Sequence, residues 1–190
     1  KINNLINVPL DMMKDKPQEC TKYYSDQVCD AISKLSQRLD WNVIDKVLQA
    51  IHDSDSVAFF GTQFSHSAAL HFQTDLLMLE KFTMAYMETE RQIDCARLMD
   101  ENSVAIIVTV NGFYARSNSK VLQYLKKSKC KVVLMTNNPG IDIGINVNYT
   151  IVLGDSEQRK IGKHTLLTAV ELMSLRYYSL YYPGIQEKII

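Results

Sequence analysis

This sequence lacks cysteine pairs, long apolar runs and an excess of either charge. Its four cysteines, Cys20, Cys29, Cys95 and Cys130, are widely spaced and form no C-x-x-C pair, so neither a zinc motif nor a disulfide framework is indicated. No apolar run approaches the roughly 20 residues of a membrane span, and the N-terminus has no signal-peptide core. These absences predict a cytoplasmic protein with no membrane partner.

The charge balance also excludes a class of function. Lys plus Arg and Asp plus Glu both total 21 among 190 residues, which gives a net charge of zero. A protein that wraps nucleic acid carries a positive surplus, so we do not expect this chain to bind DNA by itself. The densest basic run, residues 126–131, falls at the end of a predicted helix, where cations oppose the negative end of the dipole.

The first forty residues differ in pattern from the rest. Residues 1 to about 20 show no period and contain Pro9 and Pro17, which is typical of a linker or arm. Apolar residues then recur at helical spacing in two runs, Val28, Ile32, Leu35, Leu39 and Ile44, Val47, Leu48, Ile51. The second helix is predicted to begin at Asn42, with Trp41 packing back on it. We therefore divide the chain into a linker and helical extension, 1–40, and a ligand-binding domain, 41–190.

Short apolar runs alternate with helical patterns through the larger part of the chain. The predicted strands are residues 57–60, 84–87, 104–108, 131–135 and 149–153. Because these runs are almost continuously apolar, they indicate a parallel sheet covered on both faces. The predicted fold class is α/β: a three-layer α/β/α sandwich with a five-stranded parallel sheet in a flavodoxin-like arrangement, plus the helical N-terminal extension.

A long helix after the last strand ends in the aromatic segment 177–182. Such a segment is too apolar for plain solvent surface, and aromatic patches often mark interfaces. Two interpretations stay open for it, packing into the core and contact with a second subunit.

Two polar loops follow predicted strands and precede predicted helices: residues 61–65, Gly-Thr-Gln-Phe-Ser, and residues 109–114, Thr-Val-Asn-Gly-Phe-Tyr. Ligands of open parallel sheets bind at the carboxyl ends of the strands. The N–H groups at a helix N-terminus favour an anion such as phosphate. The loops therefore predict an anion pocket, to which His66 and Arg116 are further candidate contributors.

These loops resemble the phosphosugar site of the sugar isomerase (SIS) domain, which is built from G-x-G-x-S after the first strand and S-x-S-G-x-T/S after the third. Three positions match these motifs: Gly61, Ser65 and Gly112. Four positions depart from them: Gln63 replaces the second glycine, Thr109 and Asn111 the two serines, and Tyr114 the final hydroxyl residue. The resemblance covers about residues 40 to 182.

Within that superfamily the chain looks most like the effector-binding domain of RpiR-type transcription regulators without their N-terminal helix-turn-helix domain. The resemblance implies a homodimer or tetramer that senses a phosphorylated sugar and alters DNA binding by the attached domain. The residues expected to bind the ligand are Gly61, Thr62, Gln63, Ser65, Thr109, Asn111, Gly112, Tyr114 and Glu157. Glu157 is expected to accept hydrogen bonds from sugar hydroxyls, and the others to provide backbone and hydroxyl donors. No metal or redox cofactor is expected.

Two alternatives remain. One is an aldose–ketose isomerase, whose proton transfer needs a carboxylate or histidine base; Glu157 and His164 are the candidates. The other is a vestigial SIS domain that serves only oligomerisation, which the altered motifs favour. Sensing predicts stabilisation by a phosphosugar, whereas the vestigial domain predicts none.

Overall fold

Helices and parallel strands alternate along residues 10–110, 112–154 and 162–182, the parts of the chain that this computed structural model describes. The strands are β1 Ser56–Phe60, β2 Met84–Ala85, β3 Ser103–Val108, β4 Lys131–Thr136 and β5 Tyr149–Val152. The helices are α1 Leu10–Asp15, α2 Pro17–Arg38, α3 Trp41–Asp53, α4 Phe64–Met78, α5 Thr89–Leu98, α6 Phe113–Ser117, α7 Ser119–Ser128 and α8 Gly162–Tyr181. They form one five-stranded sheet in the order β2-β1-β3-β4-β5.

The sheet is parallel throughout and buried on both faces. β1 pairs with β3 from Ser56↔Ser103 to Phe60↔Ile107, and β3 pairs with β4 in the same direction. Every residue of β3 is buried, because helices cover the sheet from both sides. α3, α4 and α8 pack on one face, and α5 and α7 pack on the other. The predicted α/β class and the five-stranded parallel sheet are confirmed.

The prediction for residues 10–20 was wrong. These residues are helical rather than a linker: they form α1 and the start of α2, and Cys20 is fully buried. Pro17 occupies the first turn of α2, where its fixed φ and missing N–H are compatible with a helix. The proline that indicated a linker therefore begins a helix of 22 residues.

The predicted start of α3 was also displaced. Asp40, not Asn42, is the N-cap, and its carboxylate accepts hydrogen bonds from the backbone N–H groups of Asn42 and Val43. An aspartate at this position satisfies donors that the first helical turn leaves unpaired. Trp41 is the first helical residue, whereas a hydrophobic staple uses the residue before the N-cap. Trp41 therefore does not form the predicted staple, and it is 41% exposed.

The aromatic end of α8 packs on the core. Tyr177 is buried and hydrogen-bonds through its hydroxyl to His52 Nδ1 at 3.2 Å, while Tyr181 stacks on the His52 ring with 3.8 Å between centroids. The Tyr182 hydroxyl donates to the backbone carbonyl of Leu79. Burial raises the pKa of Tyr177 to about 12. Core packing therefore explains this end of α8, and a contact with a second subunit stays a prediction.

All four cysteines are free, and Cys130 is buried as a small core residue. None of the described helices combines the length and apolarity that crossing a bilayer requires. The division of the chain at residue 40 stays a prediction.

The strand order places a switch point between β1 and β3, and such a switch point forms a crevice at the carboxyl edge of the sheet, where the parallel strands end. β1 lies beside β3, and the chain leaves β1 for α4 on one face but leaves β3 for α6 and α7 toward the other face. At such a switch point the two loops separate, and the carboxyl ends of the strands open toward solvent. Both predicted ligand loops lie at this edge.

Candidate functional site

The loop between β1 and α4 holds an unusual backbone conformation. Gln63, the N-cap of α4, has φ 52° and ψ −123°, a conformation that glycine adopts with little cost and that other residues adopt rarely. Such a conformation costs about 1–3 kcal/mol and persists only where the surroundings impose it. The backbone at this position thus keeps the shape of a glycine turn although the residue is glutamine.

Gly61 makes the turn compact. A Cβ at Gly61 would lie 3.0 Å from the Ser65 Cβ and 3.4 Å from the His66 backbone nitrogen. No larger residue fits without shifting the first turn of α4. Gly61 therefore holds the strand end close to that turn, and Thr62 completes the loop by accepting a hydrogen bond from the Ser65 N–H at 3.1 Å.

The first turn of α4 carries unpaired donors. Ser65 is half-buried in this turn rather than at the cap, and its hydroxyl bonds to none of the described residues. The N–H groups of Phe64 and His66 likewise have no acceptor within those residues. Three donors and the positive end of a helix dipole therefore point into one end of the crevice.

The loop between β3 and α6 is closed by its own contacts. Gly112 has φ +73°, and a Cβ there would lie 1.9 Å from Ile141 Cδ1, so the turn requires glycine and is covered by Ile141. Thr109 is buried, and its hydroxyl oxygen accepts the Tyr114 N–H at 3.3 Å. The two predicted ligand residues Thr109 and Tyr114 are therefore bonded to each other.

The Tyr114 side chain points into the core rather than the crevice. Tyr114 is 2% exposed, and its hydroxyl donates to Gln92 Oε1 at 2.5 Å. Gln92, which is 1% exposed, donates through Nε2 to the backbone carbonyls of Gly61 at 3.0 Å and Tyr86 at 2.7 Å. This Gln92–Tyr114 brace ties the loops that follow β1, β2 and β3 to one another.

Basic side chains surround the two loops. Arg116 Nη1 lies 3.6 Å from the position that a Cβ at Gly112 would occupy, and no carboxylate in the described part of the chain pairs with it. Lys163 Nζ lies 5.4 Å from the centroid of the Phe64 ring, so it bridges α8 to the first turn of α4. Burial lowers the pKa of His66, partly offset by Glu88. The positive charges of Arg116 and Lys163 favour an anion beside these loops.

The first turn of α8 borders the site. A Cβ at Gly162 would lie 3.0 Å from Val110 Cγ1 and 3.3 Å from Asn137 Nδ2, so the start of α8 packs directly on the ends of β3 and β4. His164 Nε2 hydrogen-bonds to the Tyr24 hydroxyl of α2 at 2.6 Å, and desolvation and Lys163 lower the pKa of His164. α2 therefore contacts the first turn of α8 through a half-buried pair.

A separate cluster of possible metal ligands lies further along α4 and α8. The ligand atoms of His71, Asp75 and Glu171 lie within 4.8 Å of one another. His71 Nε2 pairs with Glu171 Oε2 at 2.9 Å, and Asp75 also accepts a 2.6 Å hydrogen bond from Ser174. The hydrogen bond between His71 and Glu171 joins the two helices at this cluster.

The structure brings most of the predicted ligand residues to one sheet edge. Those placed there are Gly61, Thr62, Gln63, Ser65, Thr109, Gly112 and Tyr114. Asn111 and Glu157 lie outside the described residues. The sequence prediction missed Gln92, which lies inside an amphipathic helix and gave no signal. It also missed Asn137, although Asn137 follows β4 at the same edge, and the rule that selected the two loops selects this position as well.

Solved structures share this fold. No family model and no curated protein matches the chain. The Vibrio vulnificus NanR protein complexed with ManNAc-6P is 14% identical, with a TM-score of 0.76 over 93% of this chain and 69% of its own. The sugar isomerase domain of the RpiR transcription factor from Sphaerobacter thermophilus is 13% identical, with a TM-score of 0.63 over 88% of this chain and 97% of its own.

An enzyme has the same fold. The phosphoheptose isomerase from Neisseria gonorrhoeae is 14% identical, with a TM-score of 0.69 over 86% of this chain and 100% of its own. At these identities the likeness establishes the fold, which is that of a sugar isomerase domain, and the predicted resemblance is confirmed at that level. Proteins with this fold include both regulators and isomerases.

Proposed function

We propose that this chain is the sugar-phosphate-sensing and dimerisation domain of a transcription regulator of carbohydrate metabolism. NanR, a protein of the same fold, is complexed with ManNAc-6P, and a second such protein is the sugar isomerase domain of a transcription factor. The first association supports a phosphorylated sugar as the ligand class, and the second supports a role in transcription regulation. We place the protein in the cytoplasm, as a homodimer or tetramer.

The observation that carries the proposal is the set of unpaired donors at the start of α4. The Ser65 hydroxyl and the N–H groups of Phe64 and His66 find no acceptor in the described part of the chain. Ionised phosphate oxygens are acceptors only, and several donors at a helix N-terminus suit them. The phosphate is therefore proposed to bind at the first loop, with Arg116 and Lys163 adding positive charge.

The closed second loop has a different part in this proposal. The Thr109 hydroxyl accepts from the Tyr114 N–H, and the Tyr114 hydroxyl donates to Gln92, so in this proposal these side chains support the site rather than bind the ligand. Gly112 and the backbone around it border the crevice. We propose Asn111 and Glu157, as the sequence predicted, for contacts with the sugar.

Signalling is proposed to pass through the Tyr24–His164 pair. Ligand bound beside Gly162 changes the contacts of the first turn of α8, and His164 in that turn holds α2 through Tyr24. A ligand shifts a conformational equilibrium only through contacts that differ between the states. In this proposal α2 carries the change toward a DNA-binding domain of the same regulator.

Isomerase activity is the second candidate function, because the phosphoheptose isomerase shares the fold. A catalytic base must reach the substrate, but the Nε2 atom of His164 is occupied by Tyr24 at 2.6 Å. We therefore propose binding without turnover. Incubation with fructose 6-phosphate followed by an assay for glucose 6-phosphate tests this, and conversion that is lost in Glu157→Gln would establish the enzyme.

A thermal-shift titration of the chain with ManNAc-6P, glucose 6-phosphate and fructose 6-phosphate tests the sensor. At a hundredfold excess over Kd, a ligand of the folded state adds about 2.7 kcal/mol, which raises Tm by about 5–10 °C for a chain of this size. Ser65→Ala removes one hydrogen bond to a charged group and should weaken binding about tenfold or more. Unphosphorylated glucose should give no shift.

Ser67→Ala is the matched control. Ser67 lies on the same helix, but its hydroxyl bonds to the Gln63 carbonyl at 3.3 Å, so its loss should leave the ligand shift unchanged. No shift with any phosphosugar, together with a stable dimer by light scattering, would instead establish the vestigial oligomerisation domain. Equal losses in both serine variants would remove the phosphate role from Ser65.

A further inference from the structure

Asn137 is a buried polar side chain that has no partner among the described residues. It is 1% exposed, and within those residues neither its Nδ2 nor its Oδ1 atom has a hydrogen-bond partner. Leaving such groups unsatisfied costs about 1–3 kcal/mol each, and native proteins contain few of them. In the described part of the chain, Asn137 is also the only residue with two such side-chain atoms.

The strand geometry places Asn137 at the crevice. Its backbone N–H continues the ladder past β4 by donating to the Val110 carbonyl at 3.1 Å. Val133 and Met135 belong to the core under α4 and α8. Since side chains alternate along a strand, Asn137 turns to the same face. The amide nitrogen accordingly lies 3.3 Å from the position of a Cβ at Gly162, the first residue of α8.

The side chain of the neighbouring Thr136, unlike that of Asn137, has hydrogen-bond partners within the protein. Thr136 is fully buried, its hydroxyl donates to the Val110 carbonyl at 3.3 Å, and its oxygen accepts the Asn138 N–H at 3.1 Å. The end of β4 can therefore satisfy a buried polar side chain internally. The unpaired amide next to Thr136 is a local exception at the predicted ligand edge.

The chemistry of the amide restricts what can complete it. A carboxamide offers a donor and an acceptor, so a partner that satisfies both must itself donate and accept. An ionised phosphate cannot donate, and Oδ1 repels it, whereas a hydroxyl group does both. The donors at the start of α4 suit the phosphate, and Asn137 suits a different part of the same molecule.

We propose that Asn137, beside the first turn of α8, is a specificity-determining residue that recognises a hydroxyl group of the sugar. This inference rests on the proposed function and deepens it. The phosphate binds at the first loop, and the sugar extends along the crevice across the end of β3 toward β4. Asn137 then distinguishes a phosphosugar from phosphate alone.

Asn137→Leu tests the proposal in two independent measurements. The apolar side chain of similar size removes the unsatisfied amide, so Tm of the ligand-free protein should rise by about 3 °C. In calorimetric titrations, the affinity for the phosphosugar that binds best in the wild-type panel should fall about tenfold or more. The affinity for inorganic phosphate should stay unchanged.

Thr136→Val is the matched control at the same strand end. It removes a hydroxyl that is satisfied within the protein, so Tm should fall and the affinity ratio of phosphosugar to phosphate should stay at its wild-type value. The two neighbouring substitutions are thus expected to move Tm in opposite directions.

The outcomes separate this inference from the proposed function. If wild type binds no phosphosugar, the proposed function fails and takes the role of Asn137 with it. If wild type binds one and Asn137→Leu binds it equally well, only the role of Asn137 is overturned. A lower Tm in Asn137→Leu would show a structural partner for the amide and would also overturn it.

Discussion

The two loops that flank the crevice differ in how many of their polar groups have hydrogen-bond partners within the protein. In the first, residues 61–65 with the start of α4, the Ser65 hydroxyl and the N–H groups of Phe64 and His66 are unpaired in the described part of the chain, and Gln63 holds a strained backbone. In the second, residues 109–114, Thr109 and Tyr114 bond internally, and Ile141 covers Gly112. In the proposed function, the first loop binds the ligand and the second supports it.

The difference shows how a pair of similar motifs can diverge. Both loops follow a buried strand and precede a helix, but the first precedes α4, a helix of 15 residues, whereas the second precedes α6, a helix of five residues. Tyr114 replaces the final hydroxyl residue of the resembled motif with a side chain that reaches Gln92. In this chain Tyr114 therefore supports the loop, and the proposed phosphate site lies at the first loop.

Removal of the Gln92–Tyr114 brace should have the largest effect on the difference between the two loops. Gln92→Leu leaves the Tyr114 hydroxyl and the Gly61 carbonyl without their partner in a buried site. Because each unsatisfied buried group costs about 1–3 kcal/mol, the free energy of unfolding should fall by about 3 kcal/mol. Urea unfolding followed by circular dichroism measures it.

Tyr114→Phe is the smaller companion variant, since it removes only the hydroxyl. It should cost about 1–2 kcal/mol, and the double variant should lose less than the sum because the two residues share one hydrogen bond. Strict additivity of the two losses would show that Gln92 and Tyr114 act separately, contrary to the brace.

A substitution at Gln63 sharpens the comparison from the other loop. Gln63→Gly places at φ 52° a residue that tolerates positive φ. Relief of the strain should exceed the extra entropy of glycine in the unfolded chain, and we expect a net gain of about 1 kcal/mol in unfolding free energy. Calorimetric melting of the ligand-free protein measures the change.

Gln63→Ala separates backbone strain from the loss of the side chain. Alanine keeps a Cβ and hence the strain, so it should leave stability near the wild-type value. If alanine stabilises the protein as much as glycine does, the glutamine side chain, and not the backbone, carries the cost.

Most of the fold was predictable because the strands are nearly continuous apolar runs separated by glycine-containing turns. The prediction was wrong where one residue type has two structural uses. Pro17 indicated a linker, yet a proline also suits the first turn of a helix. Asp40 was passed over for Asn42 because both residue types cap helices.

The site was predictable only in part. The motif positions of Gly61, Ser65 and Gly112 identified the sheet edge, since loops at strand ends are local in sequence. Gln92 meets the Gly61 carbonyl across 31 positions of the chain, and nothing in an amphipathic helix shows which distant carbonyl a glutamine reaches. The positive φ at Gln63 was equally hidden, because the residue differs from glycine while the backbone conformation does not.

The smallest expected effect is a pH dependence that belongs to the first loop alone. Burial lowers the pKa of His66 below its ordinary value of 6.5, so the unfolded chain binds more protons than the folded one just below that pH. Stability should therefore fall as the pH decreases through this window and be restored above it. The second loop has no counterpart, because burial raises the pKa of Tyr114 far above the same window.

Urea midpoints at pH 7.5 and pH 5.5 should differ less in His66→Gln than in wild type, by well under the ~1 kcal/mol expected for Gln63→Gly. An unchanged difference would assign the slope to other histidines, such as His164, whose pKa is also lowered by desolvation, and would leave the first loop no more sensitive to protons than the second.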